Sequence, residues 1–242
     1  GGWENGALFG AQVIVMPWRR RTTGYINYVR FFMTTKAVCF DLDDTLIREI
    51  HSVMLPCILN GKEKEHSVIQ EREETGELDY ITADHLRAEL LLGLDEAVIA
   101  ERFLEVAKPL KNISETINTL HSYGIKCLLI TVGPLQVAKV VASIYGFDKY
   151  YGSDYEVVCG KFTGKIVKYI KAGNKVDCLK DFCQINNIAA CDCIAVGDGS
   201  TDIPVFRYCG KSIALNASDK VKSKSTHSVD TDNLLDILSY IL

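Results

Sequence analysis

An alternation of short apolar runs with stretches of helical periodicity most constrains the fold of this chain. The runs cover residues 37–40, 125–130, 191–196 and 212–215. Helical patterns of apolar residues lie between the runs, and a last one follows the fourth. Parallel strands need crossovers of this length, and these usually contain a helix. The sequence therefore predicts an α/β fold with a three-layer, doubly wound parallel sheet.

Two stretches depart from this alternation and predict smaller units. Residues 156–167 contain two strand-like runs around glycines, which indicates a β-hairpin. The second stretch, from residue 48 to about residue 108, has no strand pattern. One helix is expected to begin at Thr82 and to reach Leu94, and another is expected to begin at Asp95. The predicted domains are a core of residues 34–47 and 108–242 and an inserted helical cap of residues 48–107.

The first 33 residues are interpreted separately from the fold. Gly1-Gly2 is not a natural start, whereas Met33 would open a chain just before the first apolar run. An apolar stretch at 7–16 is followed by basic residues, the reverse of a secretory signal, and it is too short to cross a bilayer. We interpret residues 1–33 as a leader or an added extension, with a membrane-contacting arm as the alternative.

Composition narrows the possible partners. A net charge of -4 without a long basic run argues against nucleic acid or an anionic membrane as the main partner. The nine cysteines are odd in number and lie mostly in apolar contexts, which is typical of reduced thiols in a cytoplasmic protein. We expect a monomer or homodimer.

Polar residues suited to a phosphate and a divalent metal lie at the ends of three predicted strands. Asp41 and Asp43 follow the first strand, Thr131 ends the second, and Asp198 and Asp202 follow the third. The carboxyl ends of parallel strands meet at one edge of a sheet, so these side chains are expected to converge. Carboxylate oxygens suit Mg²⁺, and Lys175 would offset their excess negative charge.

These residues resemble the motifs of the haloacid dehalogenase superfamily. Asp41-Leu-Asp43-Asp44-Thr45 resembles its first motif, DxD-x-T, and Thr131 its second. Lys175 resembles the third motif, and Gly197-Asp198-Gly199-Ser-Thr-Asp202 the fourth. The resemblance runs from the region of Met33 to the end of the chain, with the spacing of the phosphoserine-phosphatase-like branch.

The resemblance implies a phosphatase, a phosphoric monoester hydrolase that acts on a small phosphorylated metabolite with Mg²⁺. Asp41 would attack phosphorus and form an aspartyl-phosphate, and Asp43 would act as general acid and base. Thr131 and Lys175 would bind the phosphate. The implied metal ligands are Asp41, Asp198 and Asp202, together with the backbone carbonyl of Asp43.

The resemblance also suggests residues for the substrate. In phosphoserine phosphatases a glutamate after the first motif and an arginine in the cap are associated with the amino-acid part of the substrate. Glu49 and Arg87 are the candidates here, although Glu49 comes one residue early. Thr131-Val-Gly133 stands in place of the usual Ser-Gly-Gly, and Thr201 in place of the usual asparagine. Two alternatives stay open: a phosphotransferase with an acceptor other than water, and a non-catalytic regulatory protein.

Several of these residues also have a purely structural interpretation. Asp44 is expected to be a helix cap or a hydrogen-bond acceptor rather than a ligand. Asp202 could cap the helix after it, and Thr131 could be only a strand-end hydroxyl. The five histidines show no ligand spacing, so we expect them to be surface residues or hydrogen-bonded within the fold.

Overall fold

The computed structural model describes residues 13–14, 31–32 and 35–242. The strands are β1 Val13–Ile14, β2 Phe31–Phe32, β3 Ala37–Phe40, β4 Lys126–Pro134, β5 Lys149–Val158, β6 Lys161–Lys168, β7 Cys193–Gly197, β8 Lys211–Leu215 and β9 His227–Val229. The helices are α1 Met54–Leu59, α2 Glu63–Glu74, α3 Tyr80–Glu89, α4 Ala97–Val106, α5 Ile113–Ser122, α6 Leu135–Tyr145, α7 Asn174–Asn186, α8 Ile203–Tyr208, α9 Asp219–Lys222 and α10 Leu238–Ile241. The predicted leader, residues 1–33, lies almost entirely outside the described residues.

The described part of the chain forms a seven-stranded sheet in the order β6-β5-β4-β3-β7-β8-β9. Neighbouring strands are parallel except for β5 and β6, which are antiparallel. The chain runs from β3 to β4 on one side and later returns to β7 on the other, so β3 is the point where the strand order reverses. Ligands of open α/β sheets bind outside the carboxyl ends of the strands at such a point.

Helices cover both faces of the sheet because side chains alternate along each strand. Val38 and Phe40 belong to one buried cluster, which includes residues of α5 and α6. Ala37 and Cys39 point to the other face, where they pack with residues of α7 and α8. The predicted three-layer α/β fold is confirmed.

The helices α1 to α4 lie between β3 and α5 in the chain. The chain leaves and re-enters the sheet region side by side, because the Arg48 amide donates to the Lys108 carbonyl at 2.9 Å. Apolar residues of these helices, among them Leu55 and Phe103, join the same cluster as Phe40. The helical insert therefore shares its core with the sheet. The limits assigned to the cap, residues 48–107, stay a prediction.

Two predicted element boundaries are wrong. The helix expected after Thr82 is α3, whose cap is Asp79: its carboxylate accepts from the amides of Ile81 and Thr82 at 3.0 and 3.1 Å. It ends at Glu89, before Leu94. Thr131 does not end its strand, because β4 continues to Pro134 past an irregularity in its register with β5.

The predicted hairpin is present but longer than expected. It consists of β5 and β6, joined by Cys159 and Gly160, which both have positive φ, +50° and +78°. Because β5 also pairs with β4, the hairpin extends the main sheet. The edge strand β9 and the short helix α9 were not predicted. Among the described helices, none combines the length and the apolar character needed to span a bilayer.

Candidate active site

Asp41 and Asp43 stand on a tight turn at the carboxyl end of β3. The Asp41 amide still donates to Val196 of β7 at 2.9 Å, so Asp41 is held in line with the sheet. The chain then turns sharply, with the Leu46 amide donating to the Leu42 carbonyl at 2.8 Å. Asp44 and Glu49 both have positive φ in this loop. Left-handed conformations in non-glycine residues are costly and cluster at functional sites.

Lys175, near the start of α7, lies between two carboxylates. Its Nζ donates to Asp41 at 2.6 Å and to Asp202 at 2.8 Å, and it is 1% exposed. Burial by itself would lower the pKa of Lys175, but the two carboxylates outweigh it and raise that pKa. Burial and the neighbouring Asp202 raise the pKa of Asp41, while Lys175 opposes the rise. The lysine thus stabilises two charges that would otherwise be buried unpaired.

Asp198 and Asp202 come from the loop after β7. The Thr45 hydroxyl donates to Asp198 at 2.9 Å, and the Gly199 amide donates to Asp202 at 3.0 Å. Burial raises the pKa of Asp198 to about 6. A Cβ on Gly197 would lie 2.4 Å from the Asp202 carboxylate, so only glycine lets this loop fold back on itself.

Asp41, Asp198 and Asp202 form what we call the carboxylate cluster, with ligand atoms within 4.8 Å of one another. Three hard oxygen donors at this separation fit a divalent cation such as Mg²⁺ or Mn²⁺. Only Lys175 offsets their charge among the described residues in contact with them. The cluster therefore keeps an excess of negative charge for a metal ion.

Asp43 is not part of this cluster and is held by Ser52. The Ser52 amide donates to Asp43 Oδ1 at 2.5 Å and its hydroxyl to Oδ2 at 2.6 Å. Burial raises the pKa of Asp43, against the lowering effect of these two hydrogen bonds. Gly133 leaves room for this contact, since a Cβ there would lie 2.0 Å from the Ser52 hydroxyl. A carboxyl group with a raised pKa in a fixed orientation is suited to proton transfer.

Thr131 is fully buried in β4, and its hydroxyl oxygen accepts from the Gly133 amide at 2.9 Å. Its hydroxyl proton is free to donate to another acceptor. No hydrogen bond of the described residues links Thr131 directly to another predicted site residue. Its predicted role in phosphate binding stays a prediction.

The two predicted substrate residues border one cavity with Asp43. This cavity, which we call the Arg87 cavity, has a volume of about 460 Å³ and lies between the β3 loop and helices α1 to α3. Its polar lining includes Asp43, Glu49, His66, Glu73, Asp84 and Arg87. Arg87 is 5% exposed and forms ion pairs with Glu73 at 2.5 Å and Asp84 at 3.1 Å. The fold thus brings Glu49 and Arg87 together with Asp43.

Several contacts of the site escaped the sequence analysis. Ser52 carries no spacing signal. Thr45 and Thr201, whose hydroxyl lies 3.4 Å from Lys175, were noted only as motif positions. The helix-cap interpretation of Asp44 is wrong: it lies nine residues before the α1 N-cap, exposed, with its carboxylate 3.0 Å from His51. His66 is buried, so not every histidine lies at the surface.

Comparison with known proteins identifies the family of this chain. The family model of haloacid dehalogenase-like hydrolases matches residues 38–207. The chain belongs to this family. A phosphoserine phosphatase from Lactococcus lactis is 30% identical over 83% of this chain and 93% of its own length. One from Streptococcus thermophilus is 29% identical over the same shares of both chains.

Solved structures agree with the sequence comparison. A phosphoserine phosphatase holding an analogue of the phospho-aspartyl intermediate superposes with a TM-score of 0.72 at 26% identity, covering 86% of this chain and 100% of the other. A substrate-bound phosphoserine phosphatase gives the same TM-score and identity, over 86% and 99%. The predicted membership in the phosphoserine-phosphatase-like branch and the predicted class of enzyme, a phosphatase, are confirmed.

Proposed function

We propose that this protein hydrolyses a small phosphorylated metabolite, a phosphomonoester, through an aspartyl-phosphate on Asp41, with Mg²⁺ as cofactor. The observation that carries the proposal is the meeting of Asp41, Lys175, Asp198 and Asp202 at the end of β3. The names of its relatives, phosphoserine phosphatases, support a small phosphomonoester as the substrate. No observation favours a phosphotransferase or a regulatory protein.

Asp41 is the proposed nucleophile. Its carboxylate attacks phosphorus while Lys175, 2.6 Å from one of its oxygens, neutralises charge on the transferring group. Thr131 and Lys175 bind the phosphoryl oxygens. Asp43, oriented by Ser52, protonates the leaving oxygen and then takes a proton from the attacking water. The same residue thus serves both half-reactions.

The carboxylates of Asp41, Asp198 and Asp202, with the backbone carbonyl of Asp43, would hold the metal. When bound, Mg²⁺ supplies positive charge next to the phosphoryl oxygens. In our proposal residues 48–107 act as a cap over this site, and the leaving group lies in the Arg87 cavity. Glu49 and Arg87 line that cavity and select the substrate.

An Asp41→Asn variant tests the mechanism. We expect phosphate release from p-nitrophenyl phosphate with Mg²⁺ to fall by at least about a thousandfold, because the nucleophile is lost. Asp219→Asn, on the exposed start of α9, is the matched control and should keep full activity. EDTA should silence the unaltered protein, and Mg²⁺ should restore it. Near-normal turnover by Asp41→Asn, or full activity in chelator, would contradict the proposal.

A further inference from the structure

Arg87 already forms hydrogen bonds with two carboxylates and one amide of the protein. Nη1 donates to Asp84 at 3.1 Å, and Nη2 donates to Gln70 at 3.0 Å and to Glu73 at 2.5 Å. Two N–H groups remain, the second one of Nη1 and that of Nε, and Nε is buried without a partner among the described residues. Asp84 is in turn fixed on its other oxygen by the Tyr169 hydroxyl. A substrate carboxylate would have to compete with two protein carboxylates for this guanidinium.

The Arg87 cavity carries an excess of negative charge. Among the described residues that line it are six acidic residues, Asp43, Glu49, Glu71, Glu73, Glu74 and Asp84, and one arginine. Glu73 and Asp84 are neutralised by Arg87, but Glu49 and Glu71 form no ion pair with a described residue. The negative electrostatic potential that these carboxylates create attracts a cationic group and repels an anionic one.

His66 offers a hydrogen-bond acceptor to a ligand in this cavity. The residue is 6% exposed and borders the cavity, yet the described residues offer its ring no hydrogen-bond partner. Burial and the nearby Arg87 lower the pKa of His66 to about 4, so the ring is neutral at pH 7. A neutral imidazole has one acceptor nitrogen, and because His66 borders the cavity this nitrogen can accept from a ligand N–H.

The acidic lining does not fit a second metal ion. Among the described residues, the groups of side chains close enough to share a metal do not include Glu49, Glu71 or Glu73. Carboxylates spread around a cavity of about 460 Å³ fit a larger organic cation instead.

We propose that the group leaving the phosphate carries an ammonium and no carboxylate, so that the substrate is a phosphorylated amino alcohol. This rests on the proposed function, because the leaving group is placed next to Asp43. Glu49, Glu71 and His66 face the ammonium, and Arg87 is a positioning residue that holds Glu73 and Asp84. In the usual arrangement the cap arginine meets a substrate carboxylate, whereas here Glu73 and Asp84 already form ion pairs with its two Nη atoms.

The test compares esters of one size and different charge. O-phosphoethanolamine carries an ammonium, propyl phosphate is its neutral counterpart, phosphoglycolate carries a carboxylate, and O-phosphoserine carries both groups. We expect kcat/KM for O-phosphoethanolamine to exceed that for propyl phosphate by about tenfold and that for the other two by more. Equal values, or a preference for O-phosphoserine, would overturn the inference.

Variants of the lining identify the residues responsible. Glu49→Gln and Glu71→Gln each lower the preference for O-phosphoethanolamine over propyl phosphate by about threefold to tenfold. Glu63→Gln, exposed on the same helix as Glu71, leaves the preference unchanged. Asp84→Asn removes one of the two ion pairs of Arg87, so the guanidinium can bind a substrate carboxylate and the preference shifts toward O-phosphoserine. If Glu49→Gln, Glu71→Gln and Asp84→Asn all keep the preference of the unaltered chain, the assigned residues are wrong.

Binding separates this inference from the proposed function. Phosphonates with a methylene in place of the ester oxygen cannot be hydrolysed, so calorimetry with the intact chain and Mg²⁺ measures recognition alone. We expect 3-aminopropylphosphonate to bind about tenfold more tightly than butylphosphonate. This order, without hydrolysis of any ester including p-nitrophenyl phosphate, would contradict the proposed function and support the inference. Hydrolysis of p-nitrophenyl phosphate together with equal binding of the two phosphonates would support the proposed function and contradict the inference.

Discussion

Two buried cations, each between two carboxylates, occupy different parts of this molecule. In the sheet, Lys175 lies between Asp41 and Asp202, at 2.6 and 2.8 Å. In the helical insert, Arg87 lies between Glu73 and Asp84, at 2.5 and 3.1 Å. Both cations are almost fully buried, 1% and 5% exposed. Each cation thus forms ion pairs with two carboxylates.

The two networks differ in what they leave unsatisfied. Beside Lys175, Asp198 adds a third carboxylate, so the site keeps negative charge that a metal ion can neutralise. Around Arg87, Gln70 and Tyr169 add neutral hydrogen-bonding groups instead of a third carboxylate, and the Nε of Arg87 is left without a partner among the described residues. The groups that surround a buried ion pair therefore decide whether it forms part of a reactive site or only stabilises the fold.

Replacing either buried cation should produce the largest change in the stability of the fold. Lys175→Met leaves Asp41 and Asp202 buried without a countercharge and should lower the free energy of unfolding by about 3–5 kcal/mol. Arg87→Met should cost less, about 1–3 kcal/mol, because Glu73 is 28% exposed. Urea unfolding of both variants, with EDTA and with Mg²⁺, measures these differences.

Magnesium should separate the two variants. It should recover part of the stability of Lys175→Met, because it binds the same carboxylates, and none of that of Arg87→Met. Equal recovery in both, or none in either, would mean that the carboxylate cluster does not bind the ion.

Acid should affect the two regions with opposite sign. Burial lowers the pKa of His66 from 6.5 to about 4 in the folded chain. The neutral ring therefore stabilises the fold above pH 6.5, and this stability is lost as the pH falls from about 6.5 to about 4. Asp198 has a raised pKa of about 6, so without metal its contribution is lost as the pH rises from about 4 to about 6. His66→Gln should therefore gain about 1–2 kcal/mol relative to the unaltered chain at pH 5 compared with pH 7.5.

Urea midpoints at the two pH values measure this difference. His85→Gln, an exposed position on α3, is the control. A His66→Gln variant that shows the same pH dependence as the unaltered chain would disprove the assignment to His66.

The smallest effect is expected at the contact that orients Asp43. Ser52→Ala removes the hydroxyl donor at 2.6 Å but keeps the amide donor, so kcat should fall about fivefold, roughly 1 kcal/mol. Because the hydroxyl also lowers the pKa of Asp43, the acidic limb of the pH–rate profile should move to higher pH. Ser143→Ala on the exposed side of α6 should change neither quantity. An unshifted profile with lowered kcat would mean that Ser52 has only a packing role.

The sequence predicted the parts of the site that depend on local pattern. Short apolar runs followed by Asp41, Asp43 and Asp198 identify strand ends, and parallel strands bring their ends to one edge. Boundaries set by competing local signals were less predictable. Thr82 and Asp79 both suit an N-cap, and the hydrogen bonds of α3 select Asp79. Likewise Pro134 suits a first helical turn, yet pairing with β5 keeps it in β4.

The sequence by itself determined the fold class, the family and the identity of the carboxylates, because these follow from periodicity and from residue types at fixed spacing. Tertiary structure alone decided which carboxylates each cation meets. Lys175 and Asp41 are 134 residues apart, and Tyr169 reaches Asp84 across 85 residues. Neither contact leaves a trace in local spacing, because both depend on how helices pack against a finished sheet. The role of Arg87 follows from that packing.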